Sequence, residues 1–293
     1  MSVADFYAGK CVFITGSTGF LGKVLLEKIL YSCPEIEKIY ILLRGKKGLG
    51  ISERLQQILE LPIFTRLKRD RPKDLEKIYP VAGNIDEDGL GLSKEDHQLL
   101  IDEVLVHVST AYSNIHKIFI EEKFYPPPIP IYRVDEIIKE RPDQKEAKLL
   151  IVCASLAEPI PGWLDTWGGA TGIIVPACKG LARVVPGRGS NVLDLIPVDY
   201  VINLMIVAAT RNVSPRDVLI YNCATSTENP LTLNKLSKTV IPDGKKHKFN
   251  ELPIPSLMFI ESKLVLNITA AVLQTCPAIL ADAFLRMAGK EPK

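Results

Sequence analysis

A chain of 293 residues has room for one large α/β domain, or for one such domain with a small appendage. With 47% hydrophobic and 24% charged residues it reads as globular, and a formal net charge of +2 is too small to argue for a nucleic-acid partner. Six cysteines without any C-x-x-C pair and four dispersed histidines point away from a disulfide framework and from a metal centre, and toward thiols used as small hydrophobes in a reducing compartment. Met1–Lys10 carries acidic Asp5 and no apolar run of its own, so no signal peptide is expected.

The first chemistry-bearing stretch is Thr15-Gly16-Ser17-Thr18-Gly19-Phe20-Leu21-Gly22. Cys11–Ile14 before it is a short apolar β-forming run, read as a buried strand. Phe20, Leu21, Val24, Leu25, Ile29 and Leu30 after it recur at helical spacing. Lys38–Leu43 then reads as a second strand, completing a β–turn–α–β crossover. In that context Gly16 allows a tight turn out of the strand. Gly19 removes a side chain where backbone N–H groups approach a pyrophosphate, and Gly22 lets the helix pack close to the strand. The spacing is G-x-x-G-x-x-G rather than G-x-G-x-x-G, so the strand–turn–helix context carries the dinucleotide reading. The second strand ends in Arg44, with Lys46 and Lys47 beyond it. A cation there suits the 2′-phosphate of NADP, whereas an acid would suit the ribose of NAD.

Ser52–Glu60 is expected to open on an N-cap and form a short amphipathic turn. The basic run Arg66–Lys73 is read either as a solvated loop or as a surface for substrate phosphates. Ile78–Ile85 is a third strand with its exit, and Ser93 caps a short helix over Leu92–Asp102. Val104–His107 leads into Val108-Ser109-Thr110-Ala111-Tyr112-Ser113-Asn114, a hydroxyl pair at the carboxyl end of a strand, where α/β sheets place chemistry. Lys117–Lys148 is rich in proline and charge, a loop ending in a helical stretch at Val134–Lys139. Leu149–Val152 is again β-like. Ala157–Gly172 reads as a shaped loop in which Trp163 and Trp167 either line an apolar pocket or anchor the loop. Val192–Ile196 is β-like, Pro197–Tyr200 begins a helix running to about Thr210 with Asp199 in its first turn, and Asp217–Tyr221 is the last clear strand. Leu264–Ala281 contains no charged residue. With Pro277 inside it, it reads as a monotopic helix pair, a hydrophobic lid or a helical cap rather than a clean span.

Thr15–Gly22, the Leu42-Leu43-Arg44 exit, Gly89–Ser93, Val106–Asn114, Ala154–Gly162, Ile196–Tyr200 and the tail from Cys276-Pro277-Ala278 to Gly289-Lys290 together resemble the alcohol-forming fatty acyl-CoA reductases. The likeness spans nearly the whole chain. It implies an α/β, Rossmann-like doubly wound parallel sheet of the extended short-chain dehydrogenase type, ending in a short apolar helical segment. The division expected is a reductase domain over 1–225 and a membrane-associating helical segment over 226–293. The resemblance implies reduction of long-chain acyl-CoA by two NADPH, through an enzyme-held aldehyde, to a primary alcohol. It implies a membrane-associated protein on the cytosolic face of the peroxisome or endoplasmic reticulum, with a homo-oligomer compatible. The cofactor residues carried over are Thr15, Gly16, Ser17, Thr18, Gly19, Phe20, Leu21, Gly22, Arg44, Asn84 and Ile85; Thr110 and Ser109 are supporting donors to the substrate oxygen.

Three departures from that pattern shape the expectation. Ile101-Asp102-Glu103-Val104 runs almost directly into Val106-His107-Val108, as though one strand–helix unit were missing. None of the nine tyrosines is followed four residues on by lysine. The family's Tyr-x-x-x-Lys pair supplies the proton as hydride arrives, the lysine lowering the tyrosine pKa. Asn84 also stands where an aspartate would hold the adenine. The chain is therefore read as an NADPH-dependent acyl-CoA reductase of internally shortened form with poor turnover. Its alternative is a non-catalytic form that binds NADPH or acyl-CoA. A third reading, an extended short-chain dehydrogenase acting on a sugar nucleotide or steroid, is set apart by the charge-free apolar tail.

Overall fold

The computed structural model describes residues 1–45, 48–84, 87–100, 152–211, 221–225, 228–247, 256–287 and 289. The chain forms two compact units: Met1–Asp165 with Ile196–Cys223, and Thr166–Leu195 with Ala224–Lys293.

The first unit begins with a capped helical turn α1 (Val3–Tyr7) and strand β1 (Cys11–Ile14). It continues with helix α2 (Phe20–Ser32), strand β2 (Lys38–Leu43), helix α3 (Ile51–Leu59), helix α4 (Thr65–Asp70) and strand β3 (Ile78–Ala82). The three strands form one parallel sheet in the order β1-β2-β3. Ile14 lies opposite Ile41, and Leu42 opposite Val81. Successive side chains of a strand point to opposite faces. Ile39, Ile41 and Leu43 of β2 join a core with Leu26, Ile29 and Leu30 of α2 and Leu55 and Ile58 of α3. Tyr40 and Leu42 join a second core with Phe13, Val81, Leu90 and Leu92. A strand covered on both faces must be apolar at every position, which is why Ile-Tyr-Ile-Leu-Leu has no polar alternation. Each fully buried Leu or Ile contributes about 1.5–3 kcal/mol relative to exposure.

Helix α5 (Lys94–Leu100) is capped as expected, the Ser93 hydroxyl accepting from the Asp96 N–H at 3.0 Å. Strand β4 (Val152–Cys153) belongs to the same unit. The second unit supplies helix α6 (Thr171–Cys178) and the strands β5 (Val184–Pro186) and β6 (Val192–Leu193). The chain then returns to the first unit with β7 (Ile196–Pro197), parallel to β4, and helix α7 (Val198–Arg211). Tyr7 anchors this helix, its hydroxyl donating to the Ile206 carbonyl at 3.0 Å. Burial pushes the Tyr7 phenol up to about 12.

The second unit is completed by β8 (Leu231–Thr232), helix α8 (Leu233–Lys246), β9 (Met258–Ile260) and a helical run α9 (Lys263–Met287). Strand β5 pairs in parallel with β9, and β6 antiparallel with β8. Ala177, Ile241 and Leu257 form its small core, with Val185 and Phe259 packed against it.

Several sequence expectations change. Helix α3 takes Gly50, not Ser52, as its N-cap: Glu53 reaches back to accept from the Gly50 N–H at 2.9 Å, leaving Ser52 inside the helix. Arg66–Lys73 is not a solvated loop. It forms α4 and the start of a 3-10 turn (Pro72–Lys77), and Arg66 is held by carboxylates. Val192–Ile196 is not one strand, because β6 and β7 pair with different partners in different units. Of Asp217–Tyr221, expected as the last clear strand, residues 217–220 lie outside the described residues; the short strands β8 and β9 follow it. Pro277 does not divide the tail. A π-turn over Ala271–Thr275 precedes it, and the helix runs through all 25 residues. A π-turn accommodates the missing N–H and ring of proline without ending a helix.

Candidate cofactor turn and its clasped loop

Strand β1 delivers the chain into the glycine turn. Gly16 has φ +68°, a left-handed conformation that side chains disfavour. The Gly19 N–H closes the turn on the Gly16 carbonyl at 2.9 Å. Gly19 is the N-cap of α2 and no side chain caps it, so the first N–H groups of the helix remain for an anion. Gly22 is required by contact. A Cβ there would lie 2.2 Å from the Gly16 carbonyl oxygen and 2.7 Å from the Ser17 Cα. The close approach is thus of helix to turn, where the sequence reading had placed helix against strand. Thr15, Thr18, Phe20 and Leu21 complete the same turn and first helical residues.

Among the described residues, two buried side-chain polar atoms have no partner: Ser17 Oγ and Trp163 Nε1. An orphaned buried hydroxyl inside an uncapped glycine turn is the donor set that a phosphate-bearing cofactor satisfies. The residues present therefore fit a dinucleotide. Arg44 follows β2 directly and is exposed, and the Arg54 guanidinium donates to its carbonyl. The Arg54 guanidinium thus lies against the backbone of the strand end that carries Arg44. Asn84 follows β3. Its amide donates to the Glu87 carboxylate at 3.0 Å, and its N–H to the Leu90 carbonyl at 2.7 Å. The side chain thereby closes the turn after the strand. Lys46, Lys47, Ile85, Ser109 and Thr110, and the strand expected over Val104–His107, lie outside the described residues.

Facing the start of α2 is the loop after β4. Lys23, in the first turn of α2, pairs with Asp165. Ser155 pins the loop on itself: it accepts from the Trp163 N–H at 3.1 Å and donates to the Ile160 carbonyl. Trp163 packs on the main core, and Trp167 is exposed, so the two tryptophans separate into a core anchor and a surface residue. Glu158 bonds Lys28 at 2.5 Å and Arg66 at 3.2 Å. Arg66 also forks onto the fully buried Glu27 at 2.7 and 2.9 Å and stacks over the Tyr31 ring.

The residue that sequence reading placed but gave no task is Asp199. Its carboxylate accepts three backbone N–H groups, from Leu156 at 3.0 Å, Ala157 at 2.9 Å and Glu158 at 3.2 Å. Burial pushes its carboxyl up, but the three N–H groups outweigh burial and hold it below the usual carboxylate range. The Lys28 ammonium holds Glu158 low against burial, with Arg66 assisting. The signal available in sequence was an acid in the first turn of α7, next to a loop whose backbone has no strand to pair with. The arrangement as a whole is an anion-receptive turn, a strand end bearing Arg44, and a loop tied to α2 by Asp165 and Glu158 and to α7 by Asp199.

The chain matches the family model described as Male sterility protein, an NAD-binding model, over residues 14–106 and 128–205. It is 31% identical to fatty acyl-CoA reductase 1 of Homo sapiens and of Mus musculus, covering 100% of this chain and 73% of each relative. It is 30% identical to human fatty acyl-CoA reductase 2 over 100% of this chain and 73% of that protein. The human alignment runs over 375 positions against a chain of 293, so at least 82 positions of the relative have no counterpart here. Among solved structures, the PhqB reductase domain from Penicillium fellutanum superposes with a TM-score of 0.55 at 17% identity, over 96% of this chain and 83% of that one. The terminal R domain of the myxalamid PKS-NRPS pathway gives 0.51 at 19% identity, over 92% and 76%. The structural likenesses show a Rossmann-like fold, and the family model together with the sequence relatives shows that the chain belongs to the male sterility/fatty acyl-CoA reductase family.

Proposed function

We propose that this chain is an NADPH-binding fatty acyl-CoA reductase of internally shortened form, with little turnover of its own. The observation that carries the reading is the uncapped glycine turn with its orphaned Ser17 hydroxyl and the Arg44 strand end, in a chain aligned along its whole length with fatty acyl-CoA reductases. Backbone N–H groups over Thr15–Gly22 hold the pyrophosphate, Arg44 reads the 2′-phosphate, and Asn84 and Ile85 border the adenine. A bound nicotinamide supplies hydride to the acyl carbonyl. Ser109 and Thr110 donate hydrogen bonds to the carbonyl oxygen, and the substrate is a long-chain acyl thioester. The apolar α9 brings the protein to a membrane surface, on the cytosolic face of the peroxisome or endoplasmic reticulum. A homo-oligomer is compatible with all of this.

The second reading is a non-catalytic binder of NADPH or acyl-CoA. It is favoured by the absence of any Tyr-x-x-x-Lys and by the 82 or more positions of the human relative that have no counterpart here. Titration of the purified chain with NADPH and NADH, followed by intrinsic fluorescence, tests the cofactor half. Preference for NADPH supports the assignment, and equal affinity for both removes the role of Arg44.

A further inference from the structure

The sequence leaves the apolar tail open as a pair of helices, a lid or a cap. The structure makes it one helix with two different sides. Leu264, Val265, Ile268, Val272, Ile279, Leu280, Phe284 and Met287 are all exposed. Gln274, in the middle of the charge-free run, is turned the other way: its carboxamide oxygen accepts the Arg183 and Val184 N–H groups at 2.6 and 2.8 Å. The centre of α9 is thereby bonded to the start of β5, within the second unit.

The π-turn decides which residues share a side. An α-helix advances by about 100° per residue. On an unbroken α-helix, Asp282 and Arg286 would stand roughly 100° round from the line of Lys263, Asn267 and Gln274. The π-turn at Ala271–Thr275 takes up one extra residue and removes that offset. Lys263, Asn267, Gln274, Asp282 and Arg286 then form one polar line. By the same shift Ile279, Leu280, Phe284 and Met287 come into register with Leu264, Val265, Ile268 and Val272. Without it the two halves would expose their apolar residues in different directions.

We infer that α9 lies in the plane of a lipid bilayer, its apolar side embedded in one leaflet and its polar line at the headgroups, with the π-turn as the device that makes that side continuous. The inference rests on the membrane association proposed above and specifies its geometry. A transbilayer pose would place the centre of the helix at mid-membrane. That would carry Gln274 and the N–H groups of Arg183 and Val184 into hydrocarbon, where backbone not closed on itself is not tolerated. An in-plane pose leaves them at the wet edge. The charges fit the same occupant: Lys263 and Arg286 are the cations at the two ends of the polar line, placed to meet lipid phosphates. Asp282, the acid in that line, is half-buried on the side away from the apolar residues.

The test uses the full chain and vesicles of phosphatidylcholine containing phosphatidylserine. Spin labels at Ile268→Cys, Leu280→Cys and Phe284→Cys, each in a Cys276→Ser background, report immersion depth. The in-plane pose predicts one shallow depth for all three and water accessibility for a label at Asn267→Cys. Removing Ala271, which takes the extra residue out of the π-turn, should lower vesicle affinity at least tenfold. So should the surface pair Leu280→Gln with Phe284→Gln, which leaves the helix backbone intact. Vesicle binding with depth graded from one end of the helix to the other would overturn the in-plane pose while leaving membrane association standing. A full chain that ignores vesicles, whether monomeric or paired with a second copy through this side, would overturn the lipid occupant altogether. Neither result depends on reductase turnover, so neither is confounded by a failure of the catalytic reading.

Discussion

The sheet of β1, β2 and β3 and the paired strands of the second unit are built from the same kinds of residue by different means. β2 has six residues and is covered on both faces. β6 and β8 have two residues each and pair across about 40 positions of sequence. The first region is specified locally: contiguous apolar runs, a glycine turn and short crossovers agree on one arrangement. The second depends on contacts that no local window contains, such as Gln274 reaching the start of β5. The clasped loop of the first unit is a third case, in which the Asp199 carboxylate takes the backbone N–H groups that no strand pairs.

That contrast can be broken at the clasp. Arg66→Ala should cost the most, about 3–5 kcal/mol in urea unfolding, because it leaves the buried Glu27 charge without its partner. A loss below 1 kcal/mol would mean Glu27 is carried neutral and the clasp is ornamental. Arg44→Ala should weaken NADPH by ~1.5–3 kcal/mol, the range for a hydrogen bond to a charged group, and leave NADH nearly unchanged; isothermal titration reads both. Asp199→Ala orphans loop N–H groups at a cost of ~1–3 kcal/mol. In a Trp167→Phe background, the remaining Trp163 emission should shift to the red as the loop loosens, while the far-ultraviolet spectrum stays unchanged.

The smallest effect expected is on pH dependence. The folded-state carboxyl of Glu158 is held below its ordinary value of 4.5. Its contribution is therefore fully present above about pH 4.5 and is lost as pH falls through the lowered folded value. Glu158→Gln should flatten the acid limb of a stability curve below pH 4.5 and leave the neutral plateau nearly parallel. An unchanged acid limb would assign that slope to other carboxylates, such as Asp199.

What was legible in sequence follows the same division. Cys11–Ile14, Lys38–Leu43 and the Gly16/Gly19/Gly22 spacing announce their structure because burial on both faces and left-handed φ each demand particular residues. The helix at Asp199 was legible, but its task was not: three N–H groups from a loop some forty residues earlier leave no periodic trace. The basic run at Arg66 was misread because its partners, Glu27 and Glu158, are remote in sequence. Pro277 pointed to a break, since a π-turn has no residue signature of its own. The Tyr-x-x-x-Lys absence, by contrast, is a property of sequence alone.

On the function proposed for it, this chain keeps the glycine turn of a fatty acyl-CoA reductase but has no Tyr-x-x-x-Lys to supply the proton. The most direct measurement is purified protein with NADPH and a long-chain acyl-CoA, the alcohol followed by mass spectrometry beside human fatty acyl-CoA reductase 1. A positioned general acid typically contributes ~10²–10⁴-fold, so the predicted result is NADPH binding with turnover at least a hundredfold below that relative. Turnover within tenfold of it would contradict the claim and would assign the proton to another residue, Tyr112 first.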